Sequence, residues 1–483
     1  MKKYFTVLSI AAASLGLAQT QQGKMMNHLP ANAVVYKVQK PAFLADFPVS
    51  NWKDYADTSW YNAADTSFEL STAAELAGLA KLVAAGNTFT GKNIKLMQNV
   101  DIGAHLWDPI GYNNNNPFSG NFEGNNKVVS NLMINREGGD WLGLFGQFIG
   151  ATVKNLTLDG AKIYGTDTSG AFIANITTGS TVENCHVKNA DITLTEYNGG
   201  IFTGAVLSNS TVMNCSAQGK ITGQNQIGGF AGTSWNNSLI SKSFVEGEVN
   251  GQYFVGGFTG FITFAFGPTV NKIEDSYSRA NVTATVQSVG GFAGAVQNTG
   301  DFKNVYSTGT VSITPDVGAF IGTVGNITIQ NAYYDATVNT EEPVGTFMGA
   351  PLTLDITGKQ TAEMKTPAFA TTLNAGRTET IWVQNPAVND GYPYLSSQPL
   401  LATGENIAQA KKISIAPTMV TDGFKVQGIN AAVSYQIMDM SGKIVSSGKN
   451  DGDQISVAKL VKGVYLIKIS GNGETTTLKF IKK

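Results

Sequence analysis

One short unit, a glycine followed two residues later by a phenylalanine, recurs seven times in this 483-residue sequence. LGLFG at 142–146 and GGFAG at 228–232 are two of its copies. Successive phenylalanines are 27, 30, 28, 28, 34 and 28 residues apart. They are Phe145, Phe172, Phe202, Phe230, Phe258, Phe292 and Phe320. Seven copies at a nearly constant period predict a repeat architecture, in which each unit buries its apolar side against the next.

A second block follows each phenylalanine by about ten residues and has the pattern of a β-strand. VENCHV (182–187) and FKNVYS (302–307) begin with an apolar residue and differ at the second position, as expected when one side of a strand faces a core. Each period offers about three such strands and no helical pattern, which excludes leucine-rich and helical solenoids, and it is too short for a propeller blade. The predicted fold class is therefore all-β, a right-handed parallel β-helix with coils about 4.8 Å apart.

Short capping helices are predicted at both ends of this β-helix. Thr72 and Glu75 form a capping box, and an apolar stripe continues from there to Gly86, so a helix here would cover the first coil. Pro367 can begin a second short helix as a lower cap. With these caps, the β-helix is predicted to span residues 66–397.

The first 18 residues have the pattern of a secretory signal peptide. They combine a basic start, a short apolar run and small residues near Ala18, a pattern that directs export and is too short to span a membrane. No later stretch is apolar for long enough to predict a membrane span in the mature chain. Charged residues make up 14% of the chain and the net charge is −2, which excludes an electrostatic surface for nucleic acid. The role of residues 19–65 stays open.

The repeats resemble a known family. The G-x-F-x-G units are similar to the GLUG repeat of bacterial surface proteins, including regions of some immunoglobulin A metallopeptidases. FELSTAAELAGLAKLV (68–83) and NDGYPYL (389–395) resemble the opening and closing segments of the β-helical domains in that family. The resemblance covers residues 66–397 and implies a β-helix at a cell surface.

After a predicted linker at 398–410, the character of the sequence changes. Residues 411–483 contain short alternating strands joined by turn signals such as SGK and NDGD, which predicts a separate, small C-terminal β-sandwich. This tail resembles the type A C-terminal sorting domain of the type IX secretion system of Bacteroidetes. The residues that carry the resemblance are Asp439, Gly442, Lys443, Val445, Leu460, Gly463, Tyr465 and Lys479.

The resemblance of the tail implies a partner and a location. The partner is the type IX secretion machinery, which exports such proteins across the outer membrane and removes the tail. The mature protein is then expected to be secreted, or attached to the outer cell surface through lipopolysaccharide.

No catalytic residue, metal ligand or cofactor site is predicted. The histidines are His28, His105 and His186, and none has the paired spacing of a zinc peptidase. The enzyme alternative is a polysaccharide lyase or hydrolase, because such enzymes place carboxylates on one wall of a β-helix. Glu246 and Glu248 share a face, but two acids on a solvated wall are more often solubility charges.

Two ladders of side chains are expected at one corner of the coils. The third position of the second block is asparagine in five of seven coils, and stacked amides there would bond to the backbone and to one another. Beside them, Cys185 and Cys215 occupy one position in consecutive coils. Parallel Cβ vectors favour buried thiols over a disulfide, although both stay open.

A binding surface is expected where the repeat is irregular. The long spacing before Phe292 leaves about six extra residues around FITFAFGPTVNK (261–272), and such insertions usually project on one side of a solenoid. The candidate ligand-binding residues are Tyr197, Trp235, Tyr253, Phe264 and Phe266. The predicted function is an adhesin-like protein that binds a glycan or a protein. The alternatives are a polysaccharide-active enzyme and a passive structural component of the surface.

Overall fold

The computed structural model describes residues 37–398 and 414–483, except 113–114, 264–269, 298–299, 313–314, 350–352, 375, 417–418, 428–432, 440–442, 451–453 and 472–473. The chain divides into two compact units, Met1–Gln398 and Pro399–Lys483. The predicted signal peptide lies outside the described residues, as does the predicted linker except for Gln398. The first unit contains the repeats.

The repeats wind into a parallel β-helix, which confirms the predicted fold class. Within the described coils, strands pair in parallel with their equivalents one period away, as Ile192 does with Ile221 and Ile221 with Val249. One sheet of 21 strands and a second sheet of eight strands form the coils. Numbered along the chain, the larger sheet contains β1 Ser67–Leu70, β2 Asn93–Leu96, β3 Val100–Asp101, β4 Asn121–Ser130, β5 Met133–Asn135, β7 Thr152–Asp159, β8 Lys162–Gly165, β9 Ser169–Gly170, β11 Thr181–Leu194, β12 Tyr197–Gly200, β14 Thr211–Met213, β15 Ser216–Thr222, β16 Asn225–Gly228, β18 Leu239–Ser241, β19 Phe244–Gly256, β21 Asn271–Glu274, β22 Tyr277–Gly290, β24 Gly300–Ser307, β25 Val317–Gly318, β27 Ile327–Asp335 and β29 Thr353–Lys359. The smaller sheet contains β6 Phe145–Ile149, β10 Ile173–Thr177, β13 Thr203–Leu207, β17 Ala231–Trp235, β20 Thr259–Ile262, β23 Ala293–Val296, β26 Ile321–Val324 and β28 Val344–Phe347.

The repeated phenylalanines form one continuous stack in the core. From Phe172 to Phe320, successive ring centroids lie 4.8–5.0 Å apart, with ring planes within 11° of parallel. All of these rings are fully buried. The preceding glycines are required by close backbone packing, because a Cβ on Gly256 would lie only 2.1 Å from the carbonyl oxygen of Thr259. The motif therefore specifies the architecture.

The predicted amide ladder also forms. Asn184 Nδ2 donates to Asn155 Oδ1, and Asn331 Nδ2 donates to Asn304 Oδ1, each at 2.7 Å. These four residues have φ between 51° and 58°, a left-handed conformation that asparagine tolerates better than most residues. At these four corners, asparagine contributes both a left-handed backbone and a side-chain amide hydrogen bond to the next coil.

Helix α1 (Ala73–Ala84) covers the first coil, as predicted. The capping box forms: Glu75 N donates to Thr72 Oγ1 at 3.2 Å, and Thr72 N donates to Glu75 Oε2 at 2.9 Å. Leu76, Leu79 and Val83 are buried in the same hydrophobic core as the strands. Before this helix, short 3₁₀ helices occur at Ala42–Asp46 and Trp52–Asp54.

Two further helices, α2 (Thr361–Met364) and α3 (Pro367–Leu373), follow the last coil. A 3₁₀ turn at Asn389–Gly391 and a two-stranded sheet of β30 (Trp382–Val383) and β31 (Tyr394–Leu395) complete this closing segment. Phe369, Leu373 and Trp382 pack against an outward-facing tyrosine ladder and belong to that cluster, not to the main core. The ladder consists of Tyr277, Tyr306 and Tyr333. The predicted second helix therefore exists, but its apolar side covers the side wall of the coils.

The second unit is a small β domain. Its first sheet contains β32 Ser414–Ala416, β34 Gly423–Gln427 and β37 Gln454–Ser456. Its second sheet contains β33 Met419–Val420, β35 Val433–Met438, β36 Ile444–Asn450, β38 Gly463–Gly471 and β39 Glu474–Lys482. Phe424, Ile437, Ile467 and Phe480 are fully buried in its core.

Candidate functional site

A groove of about 630 Å³ lies on the outer wall of the β-helix, beside residues 38–43. We call these residues the N-terminal segment. The floor of the groove crosses four successive coils, because Thr193, Thr222, Asn250 and Thr283 are register partners in adjacent strands. With coils about 4.8 Å apart, the floor extends about 14 Å.

Strand alternation places polar side chains on this floor. Ile192 in β11 and Val249 in β19 are buried in the core. Their neighbours Asp191, Thr193 and Asn250 therefore face outward, because successive residues of a strand point to opposite faces. The core ladder thus fixes the spacing of the groove residues.

The N-terminal segment is held against the coils by polar and apolar contacts. Lys40 Nζ lies 2.7 Å from Glu137 Oε2 and 6.0 Å from the ring centre of Tyr164. Further along the chain, Trp52 is buried and donates from Nε1 to the carbonyl oxygen of Ile102 at 2.7 Å. This part of the chain, whose role the sequence left open, forms one wall of the groove.

The charges in and around the groove balance. Burial raises the pKa of Asp191, although Lys220 and Lys162 lower it. Lys220 Nζ lies 3.5 Å from Glu248 Oε2 on the next coil, and both side chains are about half exposed. The groove therefore has polar character without a strong field of either sign.

Of the three described aromatic residues that were predicted to bind ligand, two are buried. Trp235 packs with Ala205 and Leu207 and is 6% exposed, and Tyr253 is 1% exposed. Tyr197 is half-buried, and Phe264 and Phe266 lie outside the described residues. Trp235 and Tyr253 are thus corrected from surface positions to buried ones.

The burial of Tyr253 has a local physical reason. Phe254, the next residue, has φ of 51°, and its ring lies 5.4 Å from that of Phe261. A left-handed residue interrupts the alternation of a strand. The alternation of a regular strand therefore does not predict whether the Tyr253 side chain is exposed.

His186 does not have the surroundings of a catalytic group. His186 Nδ1 lies 2.9 Å from Ser216 Oγ, but both residues are only 8% exposed, which leaves little access for a substrate. Burial lowers the pKa of His186 to about 4. His105 Nδ1 lies 2.6 Å from Ser50 Oγ, and His28 lies outside the described residues.

Glu246 and Glu248 pair with different cations. Glu246 Oε1 lies 3.5 Å from Arg279 Nη1, and Glu248 pairs with Lys220. These acids therefore do not form a shared carboxylate site. Within the part of the chain that the structure describes, no group of three His, Cys, Asp or Glu residues could hold a metal ion.

In the first half of the sorting motif, Asp439 and Lys443 are hydrogen-bonded to each other. Its Oδ1 accepts from Lys443 N at 3.1 Å, and its own N donates to the carbonyl oxygen of Lys443 at 3.0 Å. Val445 is 38% exposed in β36, and Gly442 lies outside the described residues. These two bonds therefore join the end of β35 to the start of β36.

The second half of the sorting motif stabilises the core of the tail. Tyr465 is buried, Leu460 packs against the same core, and the Tyr465 hydroxyl donates to the carbonyl oxygen of Val461 at 2.9 Å. Gly463 begins β38, and Lys479 of β39 is the register partner of Leu466 of β38. These residues therefore act in the fold of the tail.

Sequence reasoning missed the groove because its two sides are far apart in the chain. The floor had a readable signal, since Asp191 and Thr193 alternate with a buried isoleucine. The same outward polar pattern recurs at Lys220 and Thr222 one coil later. The N-terminal segment carries no repeat from which its position could be read.

Comparisons with known proteins support the two parts of the chain separately. Residues 414–483 match the family described as the secretion system C-terminal sorting domain, and residues 285–312 match the GLUG motif. A solved structure of a "putative immunoglobulin A1 protease" from Bacteroides ovatus covers 73% of this chain and 98% of its own, at 16% identity and a TM-score of 0.47.

Two curated relatives match parts of the chain. Halomucin from Haloquadratum walsbyi is 31% identical over 170 residues, which is 32% of this chain and 2% of halomucin. A "putative Gly-rich membrane protein" from Evansella cellulosilytica is 35% identical over 107 residues, which is 20% of this chain and 12% of that protein. The chain therefore spans only a small part of either relative.

These findings agree with the architecture of the chain. Among the described residues, no helix has the length and apolar character needed to cross a bilayer. The sorting tail directs the protein to the type IX machinery, which accounts for a secreted or cell-surface location. The chain thus carries a GLUG motif within its β-helix and a type IX secretion C-terminal sorting domain at its end.

Proposed function

We propose that this protein binds a neutral glycan in the groove beside the N-terminal segment, as an adhesin-like protein of the cell surface. The observation that carries the proposal is the floor of the groove, where Thr222, Asn250 and Thr283 repeat at the coil spacing. Hydroxyl and amide groups both donate and accept hydrogen bonds, as sugar hydroxyls do. Attachment to surface lipopolysaccharide after removal of the tail belongs to the same proposal.

The balance of charge favours a neutral ligand. Lys40 and Lys220, the basic residues of the groove, each pair with a glutamate, and Asp191 is partly desolvated. A polyanionic glycan would be attracted by a surplus of unpaired cations, and this groove offers none of the steering that such a surplus gives.

The N-terminal segment supplies an apolar contact opposite the polar floor. Phe43 is half-buried, lines the groove and lies 5.4 Å from the ring of Phe47. An aromatic ring beside hydrogen-bonding groups is the usual composition of a small-molecule site. A short glycan would thus contact Phe43 on one side and the coils on the other.

One observation favours a polysaccharide-active enzyme as the second candidate. Asp191 and Glu248 occupy the same outward ladder two coils apart, which corresponds to about 9–10 Å along the helix axis. Inverting glycosidases hold their two carboxyl groups about 6.5–9.5 Å apart. Lys220 lies between them and pairs with Glu248, which ties up one of the two groups and makes binding the better-supported function.

The proposal is tested by binding of the full mature chain to an array of neutral and acidic glycans. Asn250→Ala and Asp191→Ala should each weaken binding to the retained glycan by about tenfold or more, the equivalent of one good hydrogen bond. Asn121→Ala is the matched control, because Asn121 is an exposed asparagine of β4 that lies outside the groove. It should bind like the wild type.

Each other outcome points elsewhere. Unchanged binding by Asn250→Ala and Asp191→Ala would move the ligand to another surface, and retention of acidic glycans alone would contradict the neutral ligand. Release of reducing or unsaturated ends from a polysaccharide panel would establish the enzyme instead. Absence of glycan binding at all concentrations would leave a passive structural role.

A further inference from the structure

The two ends of the β-helix are finished differently. At the first coil, Leu76 and Val83 of α1 are buried in the main core. At the last coil, the helices α2 and α3 pack against the side wall, as described above. Within the described residues, β28 pairs only with β26, and β29 pairs only with β27. The last coil therefore presents two free strand edges.

The last coil also exposes apolar side chains. Phe347 is 56% exposed and Met348 is 53% exposed, directly at the end of β28. Leu354 and Ile356 of β29 are only partly buried against the core. A free edge with exposed apolar residues is a template for pairing with another strand, and soluble proteins normally cover such edges.

We infer that the last coil is a docking surface for a second copy of this chain, through antiparallel pairing of β29 with β29 of the copy. A two-fold axis at Thr357 places Asp355 opposite Lys359 of the second copy, and Lys359 opposite its Asp355. An isologous interface requires this kind of self-complementarity, because one patch must match itself. The inference concerns the end of the β-helix and does not depend on the glycan groove.

The positions of the two charges support this pairing. Asp355, Thr357 and Lys359 are separated by two residues each, so they share one face of the strand. Asp355 and Thr357 are exposed and Lys359 is half-buried, with its Nζ 5.5 Å from the ring centre of Tyr333. Neither charge forms an ion pair within the part of the chain described by the structure. Opposite charges directly across antiparallel strands stabilise the pair, and like charges destabilise it.

The alternative occupants differ in chemistry. A strand of another protein would need no charge pattern that mirrors LDITGK, whereas a second copy supplies that pattern automatically. A second copy is therefore the occupant that the sequence of β29 favours.

The test measures the oligomeric state of the full mature chain by analytical ultracentrifugation over a range of concentrations. The wild type should dimerise. Asp355→Lys and Lys359→Asp should each raise the dimer dissociation constant at least about tenfold, because each places two like-charge pairs across the axis. The combined variant should restore the wild-type value. Asp355→Lys also removes the hydrogen bond that Asp355 Oδ2 accepts from Asn331 N at 2.8 Å, whereas Lys359→Asp keeps it. Circular dichroism spectra therefore establish that each variant is folded, and Lys359→Asp gives the measurement that does not depend on this bond.

Hydrogen exchange of the β29 amides gives a second readout. Protection of these amides should rise with protein concentration in the wild type and not in Asp355→Lys. A wild type that stays monomeric up to its solubility limit overturns the inference, as does a dimer that the single charge reversals leave intact. Protection that is independent of concentration would show that the chain covers this edge with its own residues, and it would overturn the inference as well.

Discussion

Replacement of Phe258 by alanine tests whether the phenylalanine stack holds the β-helix together. Phe258 is fully buried, and its ring lies 5.0 Å from those of Phe230 and Phe292. Truncation of a buried phenylalanine costs about 3–5 kcal/mol, and each aromatic pair adds about 0.5–1.5 kcal/mol beyond burial. Because the backbone ladders fix the coil spacing at about 4.8 Å, the neighbours cannot collapse into the cavity. We expect a loss near the upper end, about 4–5 kcal/mol.

The measurement is urea unfolding of the full mature chain, followed by near-ultraviolet circular dichroism. Phe258→Leu should lose less, because it keeps part of the buried volume. Val49→Ala is the surface control, since Val49 is fully exposed and should change the free energy of unfolding by less than about 0.5 kcal/mol. A loss below about 1 kcal/mol for Phe258→Ala would refute the reasoning that the stack is a principal source of stability.

Two further predictions concern buried titratable groups. Burial keeps His186 neutral in the folded chain and lowers its pKa to about 4. Between pH 6.5 and 4, the unfolded chain therefore binds a proton that the folded chain does not. This difference should lower the free energy of unfolding by about 3 kcal/mol as the pH falls from 6.5 towards 4. Burial raises the pKa of Asp167 to about 6, and this group stabilises the folded chain as the pH falls. The contribution of His186 is therefore measured as the difference in free energy of unfolding between the wild type and His186→Asn. A difference that does not change with pH contradicts the prediction. Cys185 and Cys215 are 0% and 1% exposed, so each thiol should react with iodoacetamide only once the chain is unfolded. The labelling is done without reductant, and an unfolded chain that takes up no label would reveal a disulfide.

The coils could be predicted from the sequence because the repeat contains its own register. Because Phe230, Phe258 and Phe292 recur at one point of each period, residues at equivalent positions stack on one another in neighbouring coils. The glycines before them mark where the backbone packs closely against another backbone segment. The same holds for the asparagine corners, which combine a left-handed backbone with a side-chain amide ladder. The period thus predicted which phenylalanines stack in the core and which asparagines stack at the corners.

The closing segment lacked this information. The apolar residues Phe369 and Leu373 predicted a helix that packs against an apolar surface of the β-helix. The sequence alone did not show whether this surface is the open end of the core or the outer wall of the coils. The deciding feature is the tyrosine ladder, whose rings Tyr277 and Tyr306 lie 4.9 Å apart. Aromatic residues at an outward strand position signal a covered wall, and that signal was present in the repeat.

The candidate site was predictable only in part for a different reason. The sequence predicts aromatic residues near irregular coils as ligand contacts, yet Trp235 and Tyr253 are buried. The groove uses threonine, asparagine and charged residues, which any solvated strand face carries, so their presence in the sequence has little diagnostic value. They become a site only because residues 38–43 lie beside them, a contact that no spacing in the sequence encodes.

The structure also separates the parts of the groove that can vary from the part that cannot. Outward residues such as Thr222 and Asn250 rest on a core ladder whose spacing does not depend on them, so their exchange should alter the ligand at little cost to the fold. The opposite wall is different, because the ion pair of Lys40 and Glu137 is largely exposed and such pairs hold little energy. Buried residues are the stronger support: Val38 lies in the wall itself, and Trp52, outside the groove, is buried and donates a hydrogen bond to the carbonyl oxygen of Ile102. The position of this wall should therefore be more sensitive to replacement of Val38 or Trp52 than to removal of the Lys40–Glu137 ion pair.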